Sequence, residues 1–217
     1  MPTLANLVIR DAHPHDHPAA GDVLADAFHD GAVTAWAEPD PTSRAQQLRP
    51  YFTALLGHAA THGIIRLAQS DNAVVGAAVW FPHPGSSPVG DVHDLPHPGD
   101  DAPVSDGARR LGRLDQLLKA RHPATPHHHL AYLGVAITEQ NRGIGTALIG
   151  EHHADLRATR TPAYLEANDP RNRELYRRLG YTDLGQPVTA HDGPPIFPMW
   201  WTPDPDSPRP QPATGWS

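Results

Sequence analysis

The hydrophobic and polar positions along the chain predict a mixed α/β fold. Two apolar segments, residues 64–69 and 73–81, are separated by Ser-Asp-Asn and predict a β-hairpin, because these residue types favour tight turns. Apolar residues recur at helical spacing within residues 41–62, and leucines do so again within residues 104–121, which predicts two helices.

Two near-continuous apolar runs, residues 129–136 and 162–168, are typical of strands that are buried on both faces. Further elements are predicted at both ends of the chain, with strands at residues 6–10, 181–185 and 194–201 and helices at residues 19–30 and 172–180. Strands and helices mix along the sequence, which predicts a single α/β domain over residues 1–202. Residues 203–217 are polar and Pro-rich and predict a disordered tail. Residues 82–103 are crowded with Pro, Gly, His and Asp and predict a long loop, of the kind that covers or walls a ligand site.

The composition narrows the classes of function. The chain has 24 acidic and 17 basic residues, a net charge of −7 and no basic run, which argues against nucleic-acid binding and suits a cationic small molecule. It has no cysteine, which excludes disulfides, thiolate metal sites and a cysteine nucleophile. We find neither a signal-peptide pattern nor an apolar stretch near the roughly 20 residues of a membrane span, and we expect a cytoplasmic protein without a membrane partner.

A Gly-x-Gly turn, formed by Gly143 and Gly145, follows the apolar run at 129–136 and opens a segment with a helical pattern. Backbone N–H groups at a helix N-terminus favour an anion such as phosphate, and glycine lets the backbone approach a ligand closely. Arg142 would add positive charge. The turn is not a dinucleotide-binding fingerprint, because Leu148 stands where the third glycine belongs, and no Gly-Lys-Ser/Thr makes it a Walker loop. A tight strand-to-helix turn without a ligand remains the alternative.

The glycine turn and a later segment together resemble the GCN5-related N-acetyltransferase (GNAT) superfamily. In that family, one motif is a strand followed by Arg/Gln-x-x-Gly-x-Gly/Ala, and the next is a strand, an Asn and a helix with a Tyr about four residues before a Gly-Phe/Tyr. The matching positions here are Gln140, Gly143 and Gly145 in the first motif and Asn172, Tyr176, Gly180 and Tyr181 in the second. The resemblance covers roughly residues 130–184 and is closest to the puromycin N-acetyltransferase-like members of the family.

The resemblance implies a fold and an acyl donor. The fold would be an α/β sheet of about seven strands, flanked by helices and splayed between the fourth and fifth strands, with acetyl-CoA in the gap. The pyrophosphate would bind the glycine turn, and the pantetheine arm would pair with the fourth strand like an added strand. The implied cofactor-binding residues are Leu133, Gly134, Val135, Gln140, Asn141, Arg142, Gly143, Ile144, Gly145, Thr146, Asn168 and Asn172.

The resemblance also implies a reaction, in which an amine attacks the thioester while a base takes its proton and an acid protonates the leaving thiolate. Tyr176 matches the acid position, and the alternative is a tyrosine that only shapes the cleft. Glu166 is the candidate base, because a carboxylate among apolar residues is suited to accepting a proton; the alternative is a structural ion pair with an arginine. Acceptor contacts are expected from Tyr132, Trp80 and His129, with core packing as the alternative for Tyr132 and Trp80.

The identity of the acceptor is less constrained. We expect the amine of a small molecule, such as an aminonucleoside or another antibiotic, in resistance or biosynthesis. A different acyl donor and a non-catalytic acyl-CoA sensor remain alternatives, and both a monomer and a homodimer are open. Histidines cluster at residues 13–17, 127–129 and 152–153, but neighbouring histidines on a strand point to opposite faces, so we expect no metal site.

Overall fold

The computed structural model describes residues 6–85, 105–204 and 210. Within these ranges the strands are β1 (Val8–Asp11), β2 (Ile64–Ser70), β3 (Ala73–His83), β4 (His127–Val135), β5 (Ala163–Ala167), β6 (Thr182–Asp183) and β7 (Phe197–Trp201). The α-helices are α1 (His17–His29), α2 (Ala32–Ala37), α3 (Pro41–His62), α4 (Asp106–Lys119), α5 (Ile144–Thr159) and α6 (Pro170–Arg178). Short 3-10 helices lie at Pro14–Asp16 and Ile137–Glu139.

The strands form one seven-stranded sheet in the order β1-β2-β3-β4-β5-β7-β6. Neighbouring strands are antiparallel except β4 and β5, which run parallel. The β4–β5 pairing covers only residues 128–130 and 163–165, whereas β4 stays paired with β3 as far as Val135. The predicted mixed sheet of about seven strands, splayed between the fourth and fifth, is therefore confirmed.

A β-bulge in β4 coincides with this separation. In the β3–β4 ladder, Val79 pairs with Tyr132 and Trp80 pairs with Leu130, so Ala131 is the extra residue. A bulge bends its strand and increases the local twist. Pairing with β5 ends at Leu130, immediately before the bulge. The bend is a physical reason for β4 to leave β5 at this point.

Helices cover both faces of the sheet. On one face, α1 and α3 contribute buried residues such as Leu24 and Phe52. On the other face, Ile144 and Leu148 of α5 pack in a second core cluster. The α4 helix does not contribute to either of these two core clusters and buries Leu114 in a smaller, third cluster. Because the middle of the sheet is covered on both faces, β3 is apolar along most of its length and β4 is apolar from Leu130 to Val135, apart from Tyr132.

Most predicted elements are present, and the differences are local. The β2–β3 hairpin closes through Asp71 and Asn72, whose φ angles of 49° and 66° are those of a type I′ turn. The β3 strand continues to His83, so Pro82 and His83 belong to the strand and not to the predicted loop. Residues 86–103 of that predicted loop lie outside the described residues. The α2 helix was not predicted, because six residues are too few to display a helical period.

Two further expectations concern the tail and membranes. Apart from residues 203, 204 and 210, the predicted tail at 203–217 lies outside the described residues. The domain boundary at residue 202 therefore stays a prediction. Across the described ranges, no helix combines the length and apolar character that crossing a bilayer requires.

Candidate active site

The glycine turn lies where the chain enters α5. Gly143 immediately precedes the helix and has a φ of 86°. A Cβ at Gly143 would meet nothing within 4 Å, so the left-handed backbone, and not crowding, favours glycine there. Asn141 also has a positive φ, 62°. The first N–H groups of α5 lack acceptors within the helix and are therefore suited to an anion.

Polar side chains beside the turn are held by neighbouring groups. Arg142 forms an ion pair with Glu139. The carboxylate of Glu139 offsets the positive charge that Arg142 was expected to add to the glycine turn. The Asn141 side chain accepts a hydrogen bond from Arg171, so a second guanidinium lies at the turn. Sequence reasoning missed Arg171, because it is separated from the turn by 30 residues and becomes a neighbour only through the fold.

The open end of β4, residues 131–135, lies next to the glycine turn. An ideal Cβ on Gly145 would lie 3.5 Å from the Leu133 side chain and 3.9 Å from that of Val135. The Gln140 side chain donates a hydrogen bond to the Val135 carbonyl at 3.3 Å, which ties the turn to the strand end. The structure therefore brings together the expected phosphate-binding and pantetheine-pairing segments.

Four of the residues expected at the cofactor can contribute only through their backbone, namely Gly134, Gly143, Gly145 and Ile144. Ile144 is buried in the core between the sheet and α5. Gly134 lies against α1, where a Cβ would come within 2.9 Å of a Leu24 methyl group. Thr146, by contrast, is exposed on the first turn of α5 and can present its hydroxyl.

The start of α6 holds the two asparagines assigned to the cofactor. Asp169 caps the helix and accepts from the Asn172 backbone N–H at 2.9 Å. The Asn172 side-chain amide nitrogen donates to Asn168 at 2.9 Å and to Asp169 at 2.6 Å. These bonds fix the amide and leave its carbonyl oxygen as the group able to accept from a ligand.

Tyr176 lies on α6 one turn beyond Asn172. The residue is buried, and burial, with a smaller effect of Asp169, raises the pKa of its phenol well above the usual value. The hydroxyl group is therefore protonated at neutral pH. Among the described residues it has no hydrogen-bond partner, and Tyr176 lines the cavity between β4 and β5. A protonated phenol in a cavity can donate a proton or a hydrogen bond.

Glu166 lies on β5 and faces His129 of β4. The His129 Nε2 atom donates to Glu166 Oε2 at 2.8 Å, and both side chains are nearly buried, with exposures of 2% and 11%. The alternative considered from the sequence was an ion pair between Glu166 and an arginine, and the ion pair seen here for Glu166 is with a histidine. The imidazole orients the carboxylate towards the cavity that both residues line.

This cavity has a volume of about 270 Å³ and an aromatic and aliphatic wall with a few polar groups. Its polar lining includes the hydrogen-bonded pair His129 and Glu166, together with Asn172 and Tyr176 from α6. A largely apolar pocket with convergent polar groups is typical of a small-molecule site. We call it the β4–β5 cavity.

Tyr132 lies in the wall of the β4–β5 cavity, as expected of an acceptor-contacting residue. Its hydroxyl lies 2.5 Å from the hydroxyl of Tyr51 on α3. The Tyr132 ring also packs edge-on against Phe28 and Phe52, so it has the packing role considered as the alternative as well. Burial raises the pKa of Tyr51 to about 12, and both phenols are neutral at physiological pH.

Trp80 does not lie in the β4–β5 cavity. It is fully buried on the opposite side of β3, where its ring stacks on His152 at 4.0 Å. The expected stacking of Trp80 on an acceptor is therefore corrected to a core role. Because β3 is buried on both faces, its hydrophobic pattern does not indicate which face a given residue occupies.

Six further polar residues of the cavity wall were missed from the sequence: Thr34, Glu38, Arg44, Gln47, Tyr51 and Asp115. Tyr51 lies one helical turn beyond Leu48 on the apolar face of α3, so its spacing was the only available signal. Asp115 follows Leu114 on α4, a polar residue next to a leucine stripe, which is typical of a solvated helix face. Its position at a cavity depends on how α4 packs.

Comparisons with known proteins agree with this architecture. Residues 25–181 match the sequence profile of the Acetyltransferase (GNAT) family. A crystal structure from Corynebacterium glutamicum ATCC 13032, described as histone acetyltransferase HPA2 and related acetyltransferase, is 26% identical in sequence. Its similarity to this chain covers 97% of this chain and 98% of that one, with a TM-score of 0.67.

Two more distant structures contain a coenzyme. A GNAT family acetyltransferase from Brucella melitensis, in complex with acetyl-CoA, is 19% identical over 97% of this chain and 96% of that chain, with a TM-score of 0.53. The PaiA N-acetyltransferase from Thermoplasma acidophilum, in complex with coenzyme A, is 12% identical over 91% and 99%, with a TM-score of 0.56. At these identities the similarity shows a common fold.

Proposed function

The chain belongs to the GNAT acetyltransferase family, and we propose that it transfers the acetyl group of acetyl-CoA to the amine of a small molecule. The observation that carries this proposal is the β4–β5 cavity, in which Glu166, oriented by His129, and Tyr176 line one space. This space opens where β4 and β5 separate. It therefore offers a carboxylate and a protonated phenol to the same reacting centre.

The proposed donor is acetyl-CoA, bound along the open end of β4. The left-handed turn at Gly143 and the first turn of α5 offer N–H groups to the pyrophosphate. Residues 131–135 have no β5 partner, so their backbone is available for an extended pantetheine arm. The acetyl-CoA and coenzyme A in the two structural relatives are consistent with this donor.

In the proposed reaction, the amine nitrogen bonds to the thioester carbonyl carbon and the carbon–sulfur bond breaks. Glu166 accepts the proton that the nitrogen loses, directly or through a water molecule. Tyr176 gives its proton to the departing sulfur, and solvent then restores both groups. His129 acts through Glu166, since its N–H holds the carboxylate oxygen at 2.8 Å.

The proposed acceptor is a small amine with an apolar or aromatic body. Phe28, Phe52 and Tyr132 supply aromatic walls. The lining also holds the carboxyl groups of Glu38, Asp115 and Glu166 against the single guanidinium of Arg44, an acidic balance that suits a cationic group. The acidic net charge of −7 favours the approach of such a molecule. A cavity of about 270 Å³ suits an amine-bearing group better than a folded protein surface.

More specifically, we propose that the acceptor is an antibiotic, either puromycin or a related aminonucleoside. It rests on the likeness of several segments to the puromycin N-acetyltransferase-like members. One such segment is residues 163–181, which contains both Glu166 and Tyr176. Acetylation of the amine would serve resistance or a biosynthetic step.

The test is acetyl-CoA turnover with a panel of amines that includes puromycin, agmatine and aminoglycosides. Free coenzyme A thiol reports the rate, and mass spectrometry of the product reports one added acetyl group. Acetyl-CoA binding without turnover on any amine would favour the sensor alternative. Absence of both binding and turnover would contradict acetyl-CoA as the donor, and a longer acyl thioester would then be tested.

A further inference from the structure

Three histidines from separate segments meet beside the β4–β5 cavity: His83 at the end of β3, His122 after α4 and His127 at the start of β4. One ring nitrogen from each lies within 4.8 Å of the others. We propose that this tri-histidine cluster binds a borderline transition-metal ion, with Zn²⁺ as the representative. The inference departs from the expectation of no metal site, which considered clusters of histidines close together in sequence and not ones that the fold brings together.

The backbone places two of these donors rigidly. His83 and His127 are directly paired in the β3–β4 ladder, and their rings stack at a centroid distance of 4.9 Å with planes 13° apart. Both side chains are buried. A cross-strand pair of this kind presents its two imidazoles next to each other on one side of the sheet.

The nitrogen separations bracket those around a coordinated ion. Two imidazole nitrogens at 2.0–2.1 Å from a tetrahedral Zn²⁺ lie about 3.3–3.4 Å apart. The Nε2 atoms of His122 and His127 are hydrogen-bonded at 3.0 Å, a contact that a bound ion would replace, and no separation in the cluster exceeds 4.8 Å. The ring of His122, in the connection after α4, lies 4.6 Å from the ring of His83 and 5.0 Å from that of His127 between centroids, so a tilt of these rings would bring the three donors into range.

The tautomer of His127 also suits a metal. Its Nδ1 atom donates to the Thr125 carbonyl oxygen at 2.6 Å, so the proton is on Nδ1 and the Nε2 lone pair faces the cluster. Most metal-binding histidines have this arrangement, in which the second ring nitrogen donates to a carbonyl or carboxylate and fixes the ring. His128, the next residue, points to the other face and contacts His152 at 3.0 Å, so it does not compete for the ion.

The donor set indicates the class of metal. Three imidazole nitrogens favour Zn²⁺, Ni²⁺ or Cu²⁺ over Mg²⁺ or Ca²⁺, which prefer oxygen ligands. A fourth position would be open to water. The ring of His122 lies edge-on to the ring of His129 at a centroid distance of 5.0 Å, so a bound ion would also stiffen the wall that holds Glu166.

The experiment measures metal content of the full chain after removal of any histidine tag and dialysis against a chelator. Equilibrium dialysis with Zn²⁺ should give about one ion per chain, and Co²⁺ should give the intense visible absorption of a tetrahedral nitrogen site. The variant His122→Gln should weaken Zn²⁺ binding by at least about tenfold. His128→Gln is the matched control, because His128 lies on the opposite face of β4, and it should bind Zn²⁺ as the wild type does.

A second group could also hold an ion and consists of His13, His15 and Asp16. The experiment must therefore distinguish Zn²⁺ binding at this group from binding at the tri-histidine cluster. The proposal is overturned if the double variant His13→Gln/His15→Gln abolishes Zn²⁺ binding while His122→Gln leaves it unchanged. It is equally overturned if the wild type binds no Zn²⁺, in which case the imidazoles only stack. Because His127 is buried, circular dichroism should check that the variant His127→Gln still folds. If that variant unfolds, the conclusion rests on His122→Gln, whose side chain is only half-buried. None of these measurements depends on acetyl transfer.

Discussion

Glu166 of β5 accepts a hydrogen bond from Nε2 of His129 on β4 at 2.8 Å, immediately before the two strands separate. The bond joins a nearly buried carboxylate to a buried imidazole. Leu130, the residue after His129, is the last residue of β4 that pairs with β5. The candidate base therefore lies at the apex of the gap, where an acyl group carried along β4 would end.

Replacing the carboxylate by an amide tests the role of Glu166. We expect Glu166→Gln to lower kcat by about 10²–10⁴-fold, because the amide cannot accept the amine proton. Binding of acetyl-CoA, measured by calorimetry, should be unchanged. Glu174→Gln is the control, since this carboxylate is exposed on α6 and pairs with Arg177. Wild-type turnover of Glu166→Gln would remove this residue from the mechanism.

His129 is expected to act only by positioning Glu166. His129→Phe keeps a ring but removes the N–H group, and it should lower kcat by about tenfold with a smaller effect on KM. A double-mutant cycle is decisive: the double variant with Glu166→Gln should be no slower than Glu166→Gln alone. Losses that multiply would show that His129 contributes independently of the carboxylate.

Tyr176→Phe removes the proposed proton donor and keeps the ring. We expect kcat to fall by about 10²-fold because the thiolate would leave unprotonated. The acetyl-CoA dissociation constant should stay within about twofold. Tyr181→Phe serves as control: its buried hydroxyl contacts His153 at 3.0 Å outside the cavity, so it should alter stability and not kcat. Altered acetyl-CoA binding with normal kcat in Tyr176→Phe would favour the cleft-shaping alternative.

Substitution by alanine should change the free energy of unfolding in opposite directions at Gly143, just before α5, and at Gly150, within α5. Gly143→Ala forces a Cβ onto a backbone with φ of 86° and should lower the free energy of unfolding by about 1 kcal/mol. Gly150→Ala should raise it by about 0.5–1 kcal/mol, because this exposed helical position has open space for the methyl group. Urea unfolding of both variants measures the difference. Stabilisation by Gly143→Ala would show that the turn is not left-handed.

Acid should destabilise the protein through buried histidines. Burial, with a smaller effect of Arg157, lowers the pKa of His153 to about 3. The unfolded chain, with a histidine pKa near 6.5, binds more protons between these values. The free energy of unfolding therefore keeps its full contribution from neutral His153 above about pH 6.5. Below that pH this contribution falls by about 1.4 kcal/mol per pH unit.

The variant His153→Gln should make this pH dependence shallower, because the amide does not titrate. Its side-chain N–H can still donate to the Tyr181 hydroxyl. Urea unfolding at pH values from about 7.5 to 5 measures the slope. His191→Gln, at an exposed histidine, controls for the chemistry of the substitution itself. An unchanged slope in His153→Gln would contradict a neutral, buried His153.

The features predicted from the sequence are those that local residue patterns determine. The Asp71-Asn72 turn needs two left-handed residues, and the sequence supplies types that tolerate them. Gly180, with φ of 91°, ends α6 as predicted, because glycine accepts that conformation without a penalty. The placement of Gly143 at the mouth of α5 has the same local origin.

Features that depend on contacts between distant segments were not predictable in this way. The hydroxyls of Tyr51 and Tyr132 meet across 81 residues of sequence, and neither position differs locally from a packed tyrosine. His83 and His127 become neighbours only through the β3–β4 register. That register also contains the bulge at Ala131, which changes the face of every later residue of β4 relative to β3.

The early end of β4–β5 pairing creates a strand edge in the middle of the sheet. Outer edges attract other chains, and here they are short: β1 has four residues and β6 has two. The edge of β4 is longer, but helices cover the sheet on both faces around it, so a second protein strand cannot readily reach it. The backbone of β4 can thus keep open hydrogen-bonding groups without the hazard of self-association, while a narrow, extended ligand still has access to them.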